Sequence, residues 1–291
     1  MSAGTTARGR LEKVADGFAM AEGPRWKDGA IVLTDIHADA IKQIDVSSGI
    51  VTTLVQLDSP PISTGFMSDG SLLISSLTAQ RVWRYDDGAL DRYADLSGIS
   101  EYDWGDIVVD AQDRVYIANQ GISYPRKMPE RIDSRIYLLS GIDGPREVAA
   151  GFLYANGLAI SPDGGQLIVA ESFGHRLWRL PIRDNGSLGT RTLIAAFTDV
   201  DRPDGICCDA QGAVWSANAT GREVVRCAID GSVTERISTG TDLAIGCILG
   251  GADGRDLYIT TAPTAARDAA RELLGSALWR VRVEIPAGGR P

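Results

Sequence analysis

NGLAISPDGGQLIVAES (residues 156–172) and DGICCDAQGAVWSAN (residues 204–218) carry one pattern twice. A polar residue and a glycine open a short apolar run. The chain then turns, at Gly164 or Gly212, and a second apolar run follows. Two such runs joined by a glycine turn read as a β-hairpin. The pattern occurs four more times, in KDGAIVLTD, SDGSLLISS, AQDRVYIAN and ADGRDLYITT, with turns at Gly29, Gly70, Asp113 and Gly254. Successive turns lie 41, 43, 51, 48 and 42 residues apart, 45 on average. After each hairpin a further run alternates apolar and polar residues, as in RVWRYDD (81–87), RLWRLPI (176–182) and ALWRVRV (277–283). That alternation is the mark of a half-buried strand. Several of these runs lead through another turn into a last strand, as in SVTERISTG (232–240).

Six repeats of four short strands predict an all-β fold, a six-bladed β-propeller with four-stranded blades. The alternative is a β-sandwich with irregular strand spacing. The sixth repeat lacks a fourth strand after ALWRVRV, whereas Leu11–Phe18 precedes the first inner strand. This N-terminal strand is expected to close the last blade. One propeller domain is therefore expected over residues 11–285, between an N-terminal tail, 1–10, and a C-terminal tail, 286–291. Only Ala265–Leu274 has helical composition, and it reads as a loop insertion in blade six.

Composition narrows the function classes. The chain has 291 residues, 44% of them hydrophobic, and a net charge of −9. No basic cluster is present, so no nucleic-acid partner is expected. No apolar stretch approaches the ~20 residues of a membrane span, and the N-terminus lacks the apolar region of a signal peptide. Two histidines are too few for a histidine-rich metal site. His37 and His175 read as residues of surface or inter-blade hydrogen bonding. Cys207, Cys208, Cys227 and Cys247 contain no C-x-x-C and suggest no disulfide framework, so a cytoplasmic location is expected. The expected oligomeric state is a monomer or a weak homo-oligomer.

The repeat also superposes candidate site residues. Asn156, Asp204, Gly105 and Gly246 each stand eight residues before their turn, and Glu22 stands seven before Gly29. These are equivalent positions at the start of the inner strands, which line the central channel of a propeller. Glu22, Asn156 and Asp204 should therefore meet near one mouth. Two carboxylates and an amide carbonyl suit a hard divalent cation, and calcium tolerates irregular oxygen geometry best. The competing reading makes Asn-Gly and Asp-Gly ordinary turn dipeptides.

The motifs EGPRW (22–26), ANGLAISPDG (155–164), ESFGHRLWRL (171–180) and RPDGICCDAQGAVWSAN (202–218) resemble the senescence-marker-protein, regucalcin and gluconolactonase family over about Gly17 to Val283. The resemblance implies a six-bladed propeller holding one divalent metal ion, Ca2+ first, with Zn2+, Mn2+ or Mg2+ as alternatives. It implies Glu22, Asn156 and Asp204 as ligands and hydrolysis of a small-molecule lactone. A metal-activated water, or Asp204 as general base, would deliver the attack.

The chain departs from the family at blade three. Where members carry Asn-Asp, this sequence reads Gly105–Asp106 in WGDIVVD, and no arginine matches the one that sugar-lactone members place just upstream. Asp106 either replaces the missing ligand or orients a neighbour. Met20, Trp104, Asp106 and Tyr154 are the expected substrate-binding residues, and the lost asparagine points to a substrate less polar than a sugar lactone. Other readings are an organophosphate-type hydrolase, a non-hydrolytic enzyme on the same scaffold, or a non-catalytic, metal-stabilised binding propeller.

Overall fold

The computed structural model describes residues 5–6, 10–123, 132–139 and 144–290. Six antiparallel sheets follow one another along the chain as the blades of a propeller. Their inner strands are Ala21–Lys27, Pro61–Phe66, Trp104–Val109, Ala155–Ile160, Pro203–Asp209 and Leu243–Gly250. Each packs against the inner strands of both neighbouring blades, and the last packs against the first, so the ring is continuous. Blades one to five each continue outward through three further strands in chain order. Blade six runs Leu243–Gly250, Asp256–Ala262, Ser276–Arg282, and its outermost strand is Glu12–Phe18 from the other end of the chain. No helix among the described residues is long and apolar enough to cross a membrane.

Apolar burial lies mainly between blades rather than around one centre. Val82, Ile107, Ile117 and Tyr137 belong to one such layer, and Leu138, Phe152, Leu158 and Leu167 to the next. Trp215 and Tyr258 are enclosed in the layer that joins blades five, six and one. All four cysteines are buried thiols.

Two short strands extend blade five. Thr5–Thr6 pairs parallel to its outer strand, and Ala287–Gly288 pairs with Cys208–Asp209 on its inner strand. Ile160 and Arg290 exchange backbone hydrogen bonds of 2.6 and 2.9 Å. The segment after 285 is thus fastened across blades four and five, at the far ends of their inner strands from Asn156 and Asp204.

Every inner strand is irregular at its start. Register shifts fall between Glu22 and Arg25, Pro61 and Ser63, Trp104 and Ile107, Ala155 and Leu158, Pro203 and Ile206, and Ala244 and Gly246. A bulge bends a strand and re-aims its side chains. Asn156–Gly157 and Asp204–Gly205 therefore sit in bulged strands, not in turns. Their glycines answer a different need. A Cβ on Gly157 would collide with the Asp204 carbonyl oxygen, and one on Gly205 would lie 2.6 Å from the Cα of Gly246. The inner strands converge closely there, and only glycine permits it.

Candidate active site

The bulges gather Glu22, Asn156, Asp204 and Asp106 around a cavity of about 70 Å³ at the mouth of the channel. Thr34 Oγ1 holds the Glu22 carbonyl at 3.1 Å. Glu22 Oε1 accepts from the Gly23 N–H at 3.1 Å. Its carboxylate fills space left by two glycines: a Cβ on Gly205 or Gly246 would lie 3.5 or 3.4 Å from Oε1. Asn156 Nδ2 donates to Asp204 Oδ1 at 2.5 Å and to Ser172 Oγ at 3.1 Å, and Ser172 Oγ donates to the Pro203 carbonyl at 2.6 Å. Ser172 thereby fixes the amide plane and points the Asn156 carbonyl oxygen away from Asp204.

Acidic side chains are concentrated at the site. Burial pushes the Glu22 carboxyl well above its usual pKa, the charge of Asp204 pushes it further, Asp106 adds to this, and the Gly23 N–H opposes it. Three carboxylates, Glu22, Asp106 and Asp204, face a single guanidinium, that of Arg25. Among the described residues no three of His, Cys, Asp or Glu form a ligand cluster. The set is two carboxylates and an amide, all oxygen donors, a combination that fits calcium better than a soft metal.

Asp106 is already engaged. It accepts from Arg25 Nη2 at 2.8 Å, from the Ile107 N–H at 2.9 Å, from the Leu158 N–H at 2.7 Å and from the Ser63 hydroxyl. Arg25 also donates to Ser63 Oγ at 3.1 Å and to the Ile107 carbonyl at 3.0 Å. The pair joins blades one to four beneath the cavity, and the spacing of the sequence gives no sign of it. Removing one partner of a buried pair leaves an uncompensated charge. Arg25→Met is therefore expected to lower stability by about 3–5 kcal/mol, read from urea unfolding. Arg25→Met with Asp106→Asn should recover part of the loss. A single variant within about 1 kcal/mol of the parent, the scale of an exposed pair, would show that the pair carries no such burden.

Trp104 requires a correction. It does not line the cavity. It is fully buried in the layer between blades two and three, edge-on to Tyr137 with ring centroids 5.3 Å apart. The blade-three bulge begins at Trp104 and directs its indole into that layer. Tyr154 and Met20 do border the cavity. Tyr154 is held at φ 68°, a left-handed conformation uncommon for a bulky residue, and packs edge-on to Phe173.

Above the polar cavity lies a larger vestibule of about 300 Å³, walled by Met20, Ile36, Ile62, Leu77 and Ile122. Ile36, Leu77, Gln120 and Ser172 each directly follow the second strand of their blade. They form a second tier of equivalent positions, and the repeat could have revealed it. His37, Asp103, Gln120, Ala265 and Ala266 also line it, with His37 Nε2 3.4 Å from the Ala265 carbonyl. Burial lowers the pKa of His37 against that hydrogen bond, and Arg267 and Arg271 lower it further. The blade-six insertion folds as the helix Arg267–Leu273. Arg271 Nε donates to the His37 carbonyl at 2.6 Å and Nη2 to Asp39 at 3.0 Å, strapping the helix to blade one. His175 lies elsewhere, with Nδ1 2.6 Å from the Asp201 carbonyl.

Comparison with known proteins bears on this arrangement. Residues 20–263 match the family model described as SMP-30/Gluconolactonase/LRE-like region. Over 279 residues the chain is 27% identical to 6-deoxy-6-sulfogluconolactonase of Pseudomonas putida, covering 94% of each protein. It is 25% identical to pentonolactonase XacC of Haloferax volcanii over 281 residues, 94% of this chain and 93% of that one. The fold matches the crystal structure of a calcium-binding protein, regucalcin, from Agrobacterium tumefaciens with a TM-score of 0.83, at 20% identity over 100% of this chain and 99% of that one.

Proposed function

This chain belongs to the SMP-30/gluconolactonase/LRE-like family, and from that premise we propose that it is a divalent-cation-dependent lactone hydrolase whose substrate carries an apolar substituent. The observation that carries the reading is the two-level site, with Glu22, Asn156 and Asp204 on a polar floor and Met20, Ile36, Ile62 and Leu77 above it. Two of the similar proteins bear lactonase names, and one structural neighbour is named a calcium-binding protein.

Glu22, Asn156 and Asp204 would hold the cation. When bound, it supplies electrophilic polarisation of the lactone carbonyl. Asp204 accepts the proton of the attacking water and returns it to the ring oxygen as the acyl C–O bond breaks, and the Asn156 amide orients it for that task. Arg25 keeps Asp106 paired, so that one of the three carboxylates is compensated by the protein itself. The vestibule takes the apolar part of the substrate, and each Å² of apolar surface removed from water contributes about 25 cal/mol. Its side chains are mostly apolar, with His37, Asp103 and Gln120 as the polar exceptions, and sugar hydroxyls left unpaired there weaken binding.

The test is a panel of alkyl-substituted lactones against gluconolactone, assayed with calcium, with chelator, and with calcium restored. The expected result is turnover that chelator removes and calcium restores, with the alkyl lactones about tenfold or more ahead in kcat/KM, equivalent to about 1.4 kcal/mol of transition-state binding. Turnover indifferent to chelator would refute the cation. Gluconolactone as the best substrate would refute the apolar reading. Cation binding without turnover on any lactone would instead favour a binding propeller.

A further inference from the structure

Gly105 is the blade-three member of the ring that contributes Glu22, Asn156 and Asp204, and it has no side chain to contribute. The space above it is nevertheless filled. A Cβ on Gly105 would lie 3.2 Å from Gln120 Cγ and 3.4 Å from Gln120 Nε2. Gln120 belongs to the second tier, directly after the strand Val115–Asn119. It is 4% exposed and borders both the polar cavity and the vestibule. Its backbone N–H is bound to the Asp103 carbonyl at 2.8 Å, but its carboxamide makes no hydrogen bond among the described residues. Neither amide atom is among the fully enclosed, partnerless side-chain atoms of the described residues, so the carboxamide opens to the cavity it borders instead of into the apolar layer behind it. With no partner fixing the amide plane, either end can be turned to the cavity.

We propose that the side-chain oxygen of Gln120 is a fourth protein donor to the divalent cation held by Glu22, Asn156 and Asp204, standing over Gly105 in place of an inner-strand side chain. The inference rests on the cation reading of the preceding subsection. The chemistry agrees on three counts. Calcium takes six to eight oxygens, so three protein donors leave room for another. A carboxamide adds no charge to a site where three carboxylates already face one guanidinium. Neighbouring strands are about 4.8 Å apart, so a donor moved one strand outward needs the longer reach of glutamine over asparagine.

Calorimetric titration with calcium alone, without any lactone, tests this. Gln120→Met keeps the volume and removes the oxygen; it is expected to weaken calcium binding about tenfold or more. Gln120→Ala should weaken it similarly. Gln120→Ala combined with Gly105→Asn should restore affinity to within about threefold of the parent, because the oxygen returns to the inner strand and the space it needs is vacated. Melting in chelator within about 2 °C of the parent, equivalent to about 1 kcal/mol for a chain of this size, would confirm that Gln120→Met is folded. Parental affinity in Gln120→Met and Gln120→Ala would overturn the inference and leave the three-residue cation site standing. A parent that takes no calcium would overturn both.

Discussion

Removing residues 1–18 is expected to cost the fold about 5 kcal/mol or more, which is comparable with the whole stability of an ordinary domain. Glu12–Phe18 pairs along Ser276–Arg282 through Glu12–Arg280, Lys13–Trp279, Ala15–Leu278, Asp16–Ala277 and Phe18–Ser276. Phe18 and Ala15 are buried in the layer that joins blades five, six and one, and Leu11 and Val14 pack against it. Burial of Phe18 alone is worth about 3 kcal/mol. The deletion would also uncover Ala277, Leu278 and Val281, buried residues of the neighbouring strand, and leave that strand as an exposed edge open to aggregation. Glu12–Phe18 is followed after two residues by the inner strand of blade one, so one short segment joins the first and last blades. Thermal melts followed by circular dichroism and tryptophan fluorescence would show a broad, early transition in the truncated chain. A truncated protein that melts within a few degrees of the parent would refute closure by this strand.

Asp204→Asn is expected to separate activity from stability. Turnover should fall about a thousandfold, because the substitution removes a cation-binding charge and the proposed proton acceptor together. Calcium affinity should fall with it. The cation-free protein, however, should melt higher than the parent. Asp204 raises the pKa of the buried Glu22 carboxyl, which expresses like-charge repulsion in the folded state, and the amide relieves it. The Asn156 side chain keeps an acceptor at position 204 at the same reach. Loss of activity with an unchanged or higher melting temperature in chelator is the expected signature. Turnover within tenfold of the parent would remove Asp204 from the reaction, and a large fall in melting temperature would mark it as a structural carboxylate.

The part of this fold that is legible in the chain alone is periodic. Six hairpins about 45 residues apart predict six blades, and residues at the same place in the repeat occupy the same level of the ring. That is why the spacing alone groups Glu22, Asn156 and Asp204, spread over 183 residues, and why they lie together around one cavity. The second tier of Ile36, Leu77, Gln120 and Ser172 is legible by the same rule. Side-chain direction is not. Each inner strand is bulged where the site begins, and a bulge breaks the alternation by which a sequence reports which way a residue points. Trp104 therefore enters an inter-blade layer instead of the pocket wall, and Asp106 turns toward Arg25, 81 residues away in the chain. The helix Arg267–Leu273 rests on blade one through Arg271, a contact between the two ends of the chain. Gln120 fills the space of Gly105 because the pairing of Trp104–Val109 with Val115–Asn119 shifts register between Trp104 and Ile107, a relation that exists only after folding.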